Sequence, residues 1–127
     1  MIQAVRIEHS DGQGMFGEWL IHENGDETRR EHSTVGEFLP EVLYRHNGFN
    51  TPHEDFGYKF KHGQHFCAYK SIDQLQQWIY PNEMKIIIDR GYCVYLLELE
   101  DVLVGRDQIC YKKSDIISKQ DITSLFK

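Results

Sequence analysis

The chain has 127 residues, 40% of them hydrophobic and 13% aromatic, which is enough apolar material for one domain with a real core and too much for a disordered chain. Lys and Arg number 14 against 20 Asp and Glu, giving a net charge of −6 and a pI near 5.6; this excludes a broadly basic coat for nucleic acid, and no direct nucleic-acid binding is expected. Mean hydropathy is −0.55, no apolar run approaches the ~20 residues that cross a bilayer, and residues 1–10 lack the apolar stretch of a signal peptide, so a cytoplasmic protein without a membrane partner is expected.

Residues 2–8 set Ile2, Ala4, Val5 and Ile7 against Gln3, Arg6 and Glu8, the pattern of a strand with one face inward. Gly12 and Gly14 mark a turn. Residues 15–21, with Phe16, Trp19, Leu20 and Ile21, fit a strand or a short helix equally. The polar stretch 23–33, carrying Asn24-Gly25, reads as a solvated hairpin tip or loop. Ser33 or Thr34 caps a helix running to about Arg45, with Phe38, Val42 and Tyr44 inward; Thr34 and Glu37 have capping-box spacing, and Pro40 works against a continuous helix. Residues 46–63 are loop-like, with Asn47-Gly48, Thr51-Pro52, Gly57 and Gly63 as turn signals, and a loop of this length in a small domain is more often functional than idle.

Residues 64–69 form a short buried strand, and Ser71 caps a helix whose Ile72, Leu75, Trp78 and Ile79 share one face. That face is expected to pack on the strand at 92–99. Pro81 stops or restarts the helix, with Asn82 as the cap of a second piece over 83–90 that Gly91 closes in the left-handed conformation. Residues 92–99 are apolar on both faces and so belong at the centre of a sheet. Residues 102–104 extend that strand after a break, 105–107 turn, 108–112 form another strand, and 115–126 make a docked tail. The order implies an α+β fold over 1–127: a single compact domain with a mixed or antiparallel sheet and two or three helices.

Cys67, Cys93 and Cys110 are odd in number and widely spaced in apolar runs, so a disulfide framework is not expected and all three read as small buried hydrophobes. A nucleophilic Cys67 served by His65 is the sharper alternative, although positions two apart on a strand stand roughly 6–7 Å from each other. His62, His65 and Cys67 lack further ligands unless His53, Glu54 and Asp55 fold back, so no metal site is expected. Phosphate loops, dinucleotide fingerprints, nucleophile elbows and paired CxxC motifs are absent from the sequence.

Three segments carry a resemblance through their order: Val5 to His9 followed by Gly12 and Gly14; His65 to Ser71 leading into the helix that ends at Trp78; and 91–99 followed by Gly105, Gln108, Ile109, Cys110 and Tyr111. This order resembles a family of small bacteriophage-encoded proteins of unassigned function, and it is similar to a stripped-down ADP-ribosyltransferase fold. The second resemblance implies that Arg6 or His9 on the first strand holds NAD, that the 63–71 stretch with His65 and Ser71 supplies the aromatic and serine strand, and that Gln108 stands where such enzymes carry a late-strand Glu. Gln108 can hydrogen-bond a ribose hydroxyl but has no charge to stabilise an oxocarbenium-like state, so binding without turnover is the implied behaviour. Arg6, His65, Ser71 and Gln108 are then expected to converge on one cleft.

Two function classes follow. One is a non-catalytic phage or prophage protein of the host-takeover or counter-defence type, which binds a host protein or protein complex and uses no cofactor. Its contact anchors are the loop aromatics Phe49, Phe56, Tyr58 and Phe60, expected to be exposed. The alternative is an NAD-binding protein or enzyme of the transferase type.

Overall fold

The computed structural model describes residues 1–10, 12–15, 20–21, 27–28, 34–61 and 63–127. Its strands are β1 (Ile2–His9), β2 (Leu20–Ile21), β3 (Glu27–Thr28), β4 (His65–Ala68), β5 (Tyr92–Leu99), β6 (Leu103–Val104), β7 (Ile109–Lys112) and β8 (Ile116–Asp121). Its α-helices are α1 (Val35–Phe38), α2 (Pro40–Arg45), α3 (Pro52–Phe56), α4 (Ile72–Trp78) and α5 (Pro81–Asp89), more than the two or three expected. The readings of 15–21 and 23–33 fall largely outside the described residues, as do Asp11 and His62.

One antiparallel sheet has the order β1-β5-β8, with Ile2 opposite Leu99 and His9 opposite Tyr92, so 92–99 is central as its two-sided apolar pattern requires. The second antiparallel sheet is β4-β7-β6, and β2 pairs with β3 separately. The two larger sheets meet at a corner, where Val5 and Tyr69 exchange backbone hydrogen bonds of 2.9 and 2.8 Å. β1 does not turn only one face inward as expected: Arg6 and Glu8 on its polar face are buried as well, so β1, like β5, feeds a core on each side. Val5, Ile7, Tyr92 and Val94 join Leu75 of α4 and Ile79 just after it, Met84 and Ile87 of α5, and Val35 and Val42. Ala4, Leu97 and Leu99 meet Phe66, Ala68, Ile109 and Tyr111 between the sheets.

Several expectations are corrected. The helix over 34–45 is two helices broken at Leu39, whose φ of −131° and ψ of 72° reflect the steric exclusion of α conformation before a proline. Thr34 is the N-cap, but its side chain makes no cap hydrogen bond. α5 also lies on β5, beside Leu75 and Ile79, which share the core with Tyr92 and Val94 as expected. Leu75 of α4 and Ile79 at its C-cap are fully buried, whereas the half-buried Trp78 ring stands 5.3 Å from His46 and 5.1 Å from Phe49. Pro81 restarts the helix at its first position, with Tyr80 rather than Asn82 at the cap. Gly91, at φ 95°, closes it as expected. Residues 103–104 pair with β7 in the second sheet and do not extend β5. The tail is a strand, β8, whose polar outward positions hide its pairing from a hydrophobicity pattern. Cys67 and Cys110 form a disulfide, and Cys93 is free and half-exposed. The two bonded cysteines are 43 residues apart and become neighbours only through the β4–β7 register.

Candidate interaction surface

Residues 46–61 are built from short helical pieces fastened to the second sheet. Thr51 Oγ1 accepts from the Glu54 backbone N–H at 3.2 Å and Glu54 Oε1 accepts from the Thr51 N–H at 2.9 Å, so a complete capping box starts α3. Pro52 then occupies the first turn, where its missing N–H costs nothing. This helix carries Asp55 to the turn before β7. Its carboxylate accepts from Asn50 Nδ2 at 2.8 Å, Arg106 N at 3.1 Å, Asp107 N at 3.2 Å and Gln108 Nε2 at 3.3 Å. Burial alone would raise the Asp55 pKa, but these donors together hold it below the ordinary carboxylate value. Asp107 in turn accepts from the Asn50 N–H at 2.6 Å and from Arg106 Nη2 at 2.8 Å; the Arg106 bond is the main reason its pKa is lowered too. Gln108 Nε2 donates to Asn50 O at 2.8 Å, and Gln74 Nε2 of α4 to Asp107 O at 2.6 Å.

The ends of the segment rest on aromatic contacts. His46 lies 5.6 Å from Phe49, 6.1 Å from Tyr69 and 5.3 Å from Trp78. A carbonyl can only accept, so the 2.7 Å contact with Val42 O assigns the proton to Nδ1, and Nε2 accepts from the Tyr69 hydroxyl at 2.8 Å. Burial lowers the His46 pKa, with the neighbouring Arg45 charge acting in the same sense, and burial raises that of Tyr69. Arg45 reaches across to α5, bonding Glu83 at 2.8 and 3.1 Å and Trp78 O at 2.7 Å. At the far end Phe60 stacks on His65 at 5.9 Å, and the Lys61 N–H donates to His65 Nδ1 at 2.9 Å.

Of the four expected anchors, Phe60 is buried, Phe49 and Phe56 are half-buried, and only Tyr58 is open, at 82% exposure. The correction has a simple cause: the segment lacks a core of its own, so its rings fill the space between it and the sheet. Tyr44, expected inward, is 79% exposed, and Leu43 beside it is exposed as well. Because α2 starts afresh at Pro40, Val42 alone faces the core and its neighbours turn out. Recognising that restart in the sequence would have found them.

The residues expected to hold a dinucleotide do not converge. Arg6 is 3% exposed between the sheets and donates to Glu8 Oε2 at 2.7 Å, Cys67 O at 2.8 Å and Gly12 O at 3.3 Å. Lys119 of β8 holds the other Glu8 oxygen. Register places Arg6 on the face of Ala4, Phe66 and Ile109. Gln108, adjacent to Ile109, faces the opposite way, toward residues 50 and 55. Ser71 Oγ caps α4 by accepting from Gln74 N at 3.1 Å. His9 packs edge-on to Tyr92 at 5.1 Å, and His65 belongs to the Phe60 seat. Cys67, bonded to Cys110, offers neither a thiolate nucleophile nor a thiolate ligand. No cluster of three or more His, Cys, Asp or Glu with metal-site geometry occurs among the described residues. No helix among them is long and apolar enough to cross a membrane.

A family model described as Bacteriophage T4 Y00F protein matches residues 2–124. No curated protein and no solved structure matches the chain.

Proposed function

The chain belongs to the Bacteriophage T4 Y00F protein family, and for such a phage accessory protein we propose a non-catalytic role in the host cytoplasm: binding a host protein or protein complex through the surface made by α2 and residues 46–61. One observation carries this reading. A segment with little hydrophobic support of its own is fixed by the Asp55, Asp107 and Gln108 bonds and a capping box, and it still leaves Tyr58 82% exposed. Holding an exposed tyrosine on a fastened backbone reduces the ordering cost of association, and tyrosine gives large contact area for few rotatable bonds. Tyr44 and Leu43 are further exposed apolar side chains, on the helix α2 that leads into the segment. The net charge of −6 suits approach to a basic partner surface. Arg6 and Gln108 spend their polar groups inside the protein, so the NAD-binding alternative draws no support from them.

The test compares the wild-type chain with a Tyr44→Ala/Tyr58→Ala variant, each immobilised and exposed to host extract. Both side chains are largely exposed, so the variant should melt with the wild type. The expected result is a defined host protein that binds the wild type and loses about tenfold or more in affinity for the variant, the range of a hot-spot loss. Equal retention by both proteins, or no saturable partner, defeats the proposal.

A further inference from the structure

Alternate residues of a strand share a face. On β4 and its continuation this groups His65, Cys67 and Tyr69; on β7 and the residue before it, Gln108, Cys110 and Lys112. The 46–61 segment rests on this side. Phe60 stacks on His65, His46 and Phe49 pack against Tyr69, and Gln108 donates to Asn50 O. Cys67 therefore stands between the two aromatic seats of the segment, and Cys110 lies beyond the amide that ties its middle. The two are direct partners in the register, with Cα atoms 4.2 Å apart, and the disulfide spans the floor under the segment. Cys110 is fully buried, whereas Cys67 is half-exposed.

We infer that Cys67–Cys110 is a thiol-sensitive latch controlling how firmly residues 46–61 are held. With the bond closed, β4 and β7 have one fixed spacing and the floor is rigid. With it open, two thiol sulfurs cannot approach as near as two bonded ones, so the residues separate beneath Phe60 and Phe49. The short ladder of four register pairs then resists this alone. The chemistry is thiol–disulfide exchange with a low-molecular-weight thiol. Its thiolate attacks Sγ of Cys67, the less buried residue of the two; the protein S–S bond breaks, and its electron pair goes to Cys110 Sγ, which takes a proton. A second thiolate attacks the small-molecule sulfur of the mixed disulfide and releases Cys67 as a thiol once it too is protonated. Two protein sulfurs are reduced while two small thiols become one disulfide, and the small disulfide drives the reverse. Burial of Cys110 makes it a poor leaving thiolate, so opening is slow compared with an exposed disulfide.

The experiment uses the full chain equilibrated in mixtures of reduced and oxidised glutathione. Alkylation and mass spectrometry count the free thiols, with the unbonded Cys93 as the control for accessibility. Amide exchange is measured in both states. The expected result is a reversible two-thiol transition across these mixtures, with exchange in residues 49–61 about tenfold or more faster in the reduced form and exchange in Tyr92–Leu99 unchanged within about twofold. A Cys67→Ser/Cys110→Ser variant should exchange like the reduced protein; should it fail to fold, the reduced wild type gives the same reading. The inference is overturned if Cys67 and Cys110 stay reduced in excess oxidised glutathione. It is also overturned if the bond survives excess reduced glutathione in the folded protein, or if segment exchange is the same in both states. None of these readouts depends on a binding partner.

Discussion

Arg6 is a side chain whose type suggested one role and whose surroundings give it another. An arginine on a first strand can clamp a pyrophosphate, but here the guanidinium is sealed between two sheets with donors aimed at Glu8, Cys67 O and Gly12 O. It also lies over the Phe66 ring at 5.3 Å. Removing Arg6 leaves Glu8 with Lys119 as its remaining charged partner, so the cost should fall short of a wholly unpaired buried charge, at about 2–3 kcal/mol. Arg6→Ala should accordingly lower the unfolding free energy, read from urea denaturation, by that amount, and Arg6→Lys should not rescue it, because one ammonium cannot reproduce the planar fork. A wild-type midpoint in Arg6→Ala would return Arg6 to the list of ligand-binding candidates. Gln108 teaches the same lesson: expected to contact a ribose hydroxyl, it uses its amide as one of the ties that seat the segment.

At the scale of elements, the structure depends on how α3 meets the turn before β7. A Cβ on Gly105 would fall 2.4 Å from the Asp55 carboxylate, and that carboxylate cannot swing away without losing its donors. Gly105→Ala should therefore destabilise the fold by ~1–3 kcal/mol, the usual cost of overpacking. In an Asp55→Gly background the same substitution should cost less, because the three nearest atoms, the Asp55 Cβ among them, are gone; a double-mutant cycle by urea denaturation measures the difference. Additive effects would mean that Asp55 is not the atom Gly105 makes room for. The sequence marked this region through its length, glycines and aromatics. It could not say which aromatics face out, because that depends on the sheet beneath them.

For the whole molecule, acid should unfold the protein in two stages. His46 and His65 have pKa values lowered from 6.5, in each case chiefly by burial. Below about pH 6.5 the unfolded chain binds protons that the folded one refuses, so stability falls as pH drops from there toward the folded values. For Glu83, burial pushes upward but the Arg45 bonds outweigh it and lower the pKa; Asp55 and Asp107 are lowered as well. Their contribution is complete above the ordinary carboxylate range and disappears as pH falls through the folded values. Urea midpoints measured from pH 7.5 down to about 4 should decline first near the histidine range and again near the carboxylates. His46→Leu should flatten the first decline whatever it does to the absolute midpoint. An unchanged slope would locate the protons elsewhere.

The sequence by itself determined the local order of this protein: β1 from its alternation, β5 from its two apolar faces, the Ser71 cap, the Gly91 stop and the α+β class. Each of these is set by residues within a few positions of one another, and steric and hydrophobic periodicity act at that range. The phage-family resemblance was also legible, because it rests on the order of such segments. Only the tertiary structure decided the pairing of Cys67 with Cys110, the opposite facing of Arg6 and Gln108, the burial of Phe60 and the strand at Ile116–Asp121. These depend on register between strands that are distant in the chain. A shift of one residue in register reverses every side chain's face, and nothing in the local spacing fixes that choice.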